Sequence, residues 1–180
     1  MAGSLQLVKT TTTTSGSDAV TLTDCFVENF KVYKVVFDFV DDSGVANNTF
    51  FRLADSSNSV ISSGSLYDYA VRGIGANGTN YDLKNTGQNE LFLSYLPDKN
   101  HSLGKERNQV AYVYNPYDSS SYTFTMHQTN GVSTGNDFIA HKGIGVLKEA
   151  ATHKGIQLIH YSGSSTGIKS GATLSVYGVK

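Results

Sequence analysis

Cysteine occurs once in these 180 residues, proline twice and tryptophan never. A single Cys25 excludes an intrachain disulfide, and between Asp24 and Phe26 it reads as a small buried apolar residue. No local signature makes it a catalytic thiolate. Charge is also scarce: Asp, Glu, Lys and Arg make up 16% and the formal net charge is -1. A nucleic-acid binder would show a basic footprint, so nucleic acid is not an expected partner. No apolar run approaches membrane-spanning length, and no basic segment followed by an apolar core opens the sequence. The expected place of synthesis is the cytoplasm, without a membrane partner. Sustained three-four apolar spacing, heptads, collagen-like triplets and tandem repeats are missing as well, so no fibre shaft is expected in this sequence.

What is present is glycine (18), tyrosine (11) and phenylalanine (9), with many Ser and Thr. A chain of this length buries roughly two-thirds of its unfolded surface and needs no metal or disulfide to hold it. Val32 to Val40 is the clearest strand, with Tyr33, Val35, Phe37 and Phe39 alternating with Lys34, Val36 and Asp38. Thr49 to Ala54 reads as its hairpin partner across the turn Asp41-Asp42-Ser43-Gly44. Further strands are expected at Glu90–Tyr95, Val110–Asn115, Tyr122–Gln128, Phe138–Leu147, Ile156–Tyr161 and Ser170–Lys180. The last should pair inside a sheet, since a long open edge recruits other chains. Ser65 to Val71 has an ambiguous period, and Gly73–Asn80 reads as a loop. In all, roughly eight to ten strands with regular turn signals predict an all-β fold, an antiparallel two-sheet jelly-roll-like sandwich. Residues 1–17, with the run Thr10–Thr14, form an N-terminal strand or arm; 18–180 form a single β-sandwich domain.

The expected inward set is Tyr33, Val35, Phe37, Phe39, Phe124, Met126, Ile144, Val146, Leu158, Leu174 and Val176. Two glycine motifs carry no chemistry. Gly73-Ile74-Gly75-Ala76-Asn77-Gly78 fits G-x-G-x-x-G, but Thr79-Asn80-Tyr81-Asp82 opens no helix to hold a phosphate. Gly163-Ser164-Ser165-Thr166-Gly167 fits G-x-S-x-G, but no acid or His follows Ser165. The histidines His101, His127, His141, His153 and His160 have no zinc spacing. They read as surface or rim residues, with His127 on the polar face of its strand and His141 able to meet His160 across neighbouring strands. No catalytic residue, metal or cofactor is expected. Tyrosines near loops remain, and of these Tyr81, Tyr117, Tyr67 and Tyr69 are the candidate interface or ligand contacts.

Short pieces in a fixed order carry a resemblance. They are Ser4-Leu5-Gln6-Leu7-Val8-Lys9, Val32-Tyr33-Lys34-Val35, Tyr67-Asp68-Tyr69-Ala70-Val71, Tyr114-Asn115-Pro116-Tyr117, Gly143-Ile144-Gly145-Val146 and Ser175-Val176-Tyr177-Gly178-Val179-Lys180. In these the chain resembles the small jelly-roll virion structural proteins of tailed phages, those of marine cyanobacteria above all. The resemblance implies a non-enzymatic virion component, made in the host cytoplasm, with other virion proteins such as the major capsid protein or tail proteins as partners. It also implies a homotrimer. Capsid decoration is the expected role, because no shaft is seen. The alternative is a tail-appendage or fibre module recognising host surface glycans.

Overall fold

A computed structural model describes residues 4–40, 47–96, 106–132, 138–160 and 167–180, with the backbone alone at 39, 40, 47, 95, 96 and 106–108. Among these residues the chain is all strand and loop. Twelve strands run β1 (Leu5–Thr12), β2 (Ala19–Leu22), β3 (Val32–Val40), β4 (Asn47–Ala54), β5 (Tyr67–Gly75), β6 (Asn80–Gln88), β7 (Leu91–Leu96), β8 (Glu106–Tyr114), β9 (Thr123–Val132), β10 (Phe138–Leu147), β11 (Gly155–His160) and β12 (Thr173–Val179). An eight-stranded sheet, β1-β12-β3-β8-β9-β10-β5-β6, packs on a four-stranded sheet, β2-β11-β4-β7. The pairings are antiparallel.

The topology is that of a jelly roll with additions. Without β1, β12 and the β8–β9 hairpin, the order β2-β11-β4-β7 faces β3-β10-β5-β6. The chain crosses between the sheets from β2 to β3, β3 to β4, β4 to β5, β6 to β7 and β10 to β11. Only β5–β6 is a hairpin within one of these layers, as two interlocked Greek keys require. The β8–β9 hairpin wedges between β3 and β10 and widens the large sheet. The expected β3–β4 hairpin is therefore corrected: the two strands lie in opposite sheets. Its turn at 41–44 lies outside the described residues. The terminal strand is enclosed as expected, with β1 on one side and β3 on the other.

Period-two alternation on β3 sends Tyr33, Val35 and Phe37 into the core, which they share with Leu158, Leu174 and Val176. The side chain of Phe39 lies outside the described residues. Residues 23–31 close the sandwich beyond the small sheet. Phe26 and Phe30 meet the Tyr33 ring edge-on, at 4.8 and 5.8 Å between centroids. The Tyr33 hydroxyl accepts from Val27 N at 2.7 Å and donates to the Val27 carbonyl. Gly178 leaves room for Phe30, whose ring occupies the space a Cβ there would need. Tyr67 ties the layers together: its hydroxyl accepts from Leu53 N at 3.0 Å and donates to Ile61 O at 3.1 Å.

On β9 and β10 the alternation runs opposite to expectation. Phe124, Met126 and Ile144 are exposed, and Val146 is half-buried. Thr123, Thr125, His127 and Thr129 face inward instead, opposite His141, Gly143, Gly145 and Leu147. Glycine decides this. The His127 ring fills the space over Gly143, and Leu91 fills that over Gly145. A strand written Gly-Ile-Gly-Val has no polar face to mark the outside, so its phase is set by which neighbours need its vacant positions.

Candidate functional site

The inverted phase builds a surface. Outward residues of successive strands line up in register across the large sheet. One row runs Leu5, Val179, Val32, Tyr114, Phe124, Val146 and ends on Asp68. The next runs Leu7, Tyr177, Lys34, Tyr112, Met126, Ile144, Ala70 and ends on Lys84. Seven strands at about 4.8 Å spacing make the apolar stripe about 29 Å long. Ile144 is its most open member at 61% exposure, and Phe124 is at 47%. Leu5, Leu7 and Met126 are exposed as well. Scattered surface apolar residues are ordinary, but two adjacent rows of them are not.

At the β8–β10 and β5–β6 end the stripe borders a groove of about 840 Å³, lined by Tyr69, Tyr114, Phe124, Met126, Ile144 and Ala70. Polar walls come from Asp68, Lys84, Asn85 and Thr86. A third row, beside the groove, carries Lys142 directly opposite Arg72, and Arg72 opposite Asp82. Arg72 Nε and Asp82 Oδ1 stand 3.9 Å apart, both well exposed. Among the described residues Lys34, Lys84 and Lys142 make no ion pair. Asp68 is satisfied locally: Lys148 at 2.8 Å and Gly87 N at 2.7 Å hold its carboxyl below the usual range.

Of the four candidate tyrosines, Tyr69 alone lines the groove. Tyr67 is fully buried and Tyr69 nearly so, which corrects their expected exposure. Tyr69 stacks on Phe92 at 6.0 Å and accepts from Asn85 Nδ2 at 2.8 Å, just beneath the groove wall. Tyr81 is half-buried on β6, its ring over Gly73 and its hydroxyl bonded to His141 Nε2. Tyr117 sits half-buried in the turn after β8, where its carbonyl accepts from Thr152 Oγ1 at 3.4 Å. Tyr112 and Tyr114, which do face outward, belong to the stripe. Tyr112, Phe124, Met126 and Ile144 carried no surface signal in sequence; the only clue was glycine at alternate positions of β10.

The histidines are a second correction. His127, His141, His153 and His160 are all buried, and His101 lies outside the described residues. His141 and His160 belong to different sheets and do not pair. Thr129 Oγ1 lies 3.2 Å from His141 Nδ1, and Thr123 Oγ1 lies 3.0 Å from His153 Nδ1. Both ring nitrogens of His127 lack a partner of good geometry among the described residues. Burial, and then the neighbouring His141, push His127 down to about 4; burial alone does the same to His141. Held low by burial, His127 and His141 are neutral imidazoles at neutral pH. No group of three or more His, Cys, Asp or Glu is placed to hold a metal among the described residues. The expected loop at Gly73–Asn80 is corrected in part: Gly73 to Gly75 belong to β5 and 76–79 form the β5–β6 turn, closed by Gly75 N to Thr79 O at 2.7 Å, with Gly78 at φ 88°. Residues 163–166 of the other glycine motif lie outside the described residues.

No protein-family model matches the chain, and no curated protein matches it. Among solved structures it is similar to the CBM2 module of the evolved Dit of Lactobacillus casei BL23 phage J-1. That likeness has 9% identity over 96% of this chain and 76% of that one, with a TM-score of 0.32. An alginate lyase from Alteromonas sp. 272 gives 9% identity over 91% and 86%, with a TM-score of 0.25. The VP2 subviral particle of infectious bursal disease virus gives 9% over 99% and 42%, with a TM-score of 0.16. At such scores neither fold nor function is taken from them.

Proposed function

We propose that this protein is a non-enzymatic structural component of a phage particle, a capsid-surface decoration protein that binds through the outer face of its large sheet. The observation that carries the reading is the two-row apolar stripe across that face. Aliphatic members such as Leu5, Leu7, Val32, Val179, Met126, Ile144 and Val146 outnumber the aromatic ones, Tyr112, Tyr114, Phe124 and Tyr177. Aliphatic side chains fit a protein surface, whereas sugar recognition relies on aromatic faces flanked by planar hydrogen-bonding groups. The jelly-roll topology is shared by viral capsid and lectin domains, so it suits the reading without deciding it. The residue-level resemblance to phage virion proteins supports the particle setting. Assembly as a homotrimer belongs to the same proposal and rests on that resemblance.

Side-by-side pull-downs on purified capsids and on host cells test this. A decoration protein binds capsids in fixed stoichiometry and raises their resistance to heat. A tail-appendage module that reads host glycans predicts the reverse: adsorption to cells, competition with infection, and loss of both on Tyr81→Ala or Tyr117→Ala. Cell binding without capsid binding overturns the decoration reading.

A further inference from the structure

We infer that the partner of the outer face is a protein segment with apolar side chains along its length and carboxylates clustered at one end. The inference rests on the reading of this face as a docking surface, and adds which chemistry docks there and in which direction. Charge is distributed unevenly along the stripe. The β1–β12 end offers Leu5, Leu7, Tyr177 and Val179 and no ionised side chain in the two rows. The groove end is flanked by Lys84, Lys142 and Arg72, with Asp82 as the acid of the same row. Lys142 and Arg72 are direct cross-strand neighbours, and like charges so placed destabilise a sheet. Arg72 is relieved only by an exposed contact to Asp82 at 3.9 Å, while Lys142 and Lys84 make no ion pair among the described residues. A carboxylate-bearing partner relieves that repulsion while its apolar residues cover Ile144, Met126 and Phe124. The complementarity favours one orientation, because Lys84, Lys142 and Arg72 gather at the groove end and Lys34 on β3 is the one cation of the two rows away from it.

Shape separates this partner from an anionic membrane, which also favours apolar and cationic residues. The groove encloses about 840 Å³ and is bounded on its β6 side by Lys84, Asn85 and Thr86. A protruding segment enters such a groove; a flat bilayer does not.

The test is selection of a random-peptide display library on the folded full chain. Enriched peptides are resynthesised and titrated against wild type, Ile144→Glu and the double variant Lys84→Glu/Lys142→Glu. All three positions are exposed, so these variants fold, which a matching thermal melt confirms. The expected peptides combine apolar positions with Asp or Glu at one end. Their affinity falls about tenfold or more in either variant and weakens with added salt. Replacing their acids with lysine restores binding to the double variant. Enriched peptides without acids, binding indifferent to Ile144→Glu, or Ile144-dependent binding to phosphatidylserine vesicles would each overturn the inference. Phage particles that bind wild type and Ile144→Glu equally would remove the face assignment and leave the virion reading intact. Peptides that behave as expected, with no particle carrying the chain, would do the opposite.

Discussion

His127 can be removed with a gain rather than a loss. It points inward from β9, its ring lies over Gly143 beside Val71, and apart from a poorly aligned contact to the Leu93 backbone neither nitrogen finds a partner among the described residues. Its charged neighbour-to-be is His141, which itself contacts only Thr129 and Tyr81 among the polar groups facing it. Both imidazoles are held down to about 4 from an ordinary 6.5. The unfolded chain therefore takes up protons as pH falls through 6.5, and the folded chain resists until about 4. Their contribution is complete above 6.5 and lost between 6.5 and 4, about 3 kcal/mol for each histidine. His153, also held low by burial, adds in the same direction. Asp55, Asp68 and Asp118, held low by their hydrogen bonds, act only below this window. Urea midpoints measured from neutral pH to about 4 should fall steeply for wild type. His127→Leu removes an unsatisfied polar group, so at neutral pH it should match wild type or exceed it by about 1 kcal/mol. Its pH dependence should be clearly shallower. A variant with wild-type pH dependence, or one that loses about 2 kcal/mol or more at neutral pH, would refute this account of the interior.

Phe37 is 1% exposed, and Phe37→Ala should cost about 3–5 kcal/mol in urea titration through lost burial and a cavity. Gly143→Ala forces a Cβ into the His127 ring and should lower the melting temperature, whereas the double variant His127→Ala/Gly143→Ala should recover part of that loss. Cys25 is fully buried and its thiol is pushed up to about 12 by burial, so a disulfide-exchange reagent should label it only after denaturation.

The strands that sequence showed plainly are those with polar contrast. On β3 Lys34 and Asp38 mark the outside, and Tyr33, Val35 and Phe37 go in. β12 behaved the same way, with Ser175 and Tyr177 outward and Leu174 and Val176 inward. β2 and β6 were not visible: β2 has four residues, and Asn80–Gln88 is a polar edge strand with one half-buried apolar side chain, Leu83, and Tyr81. β9 and β10 were visible as strands but not in phase. Threonine serves either face, because its methyl packs and its hydroxyl can bond a buried histidine, as Thr129 and Thr123 do. The candidate face followed from that phase alone, so it could not be read before the register was known. Tyr67 shows the converse. Between Leu66 and Asp68 it looked like a loop aromatic, yet its hydroxyl bridges backbone groups of the opposite layer.

Density from imaging of intact phage particles tests the central claim most directly. The account predicts a jelly-roll density on the capsid lattice, with Phe124, Met126 and Ile144 of the large sheet turned against a neighbouring protein. A density whose large sheet faces solvent while another surface makes the contacts would contradict it, and so would particles that lack the protein.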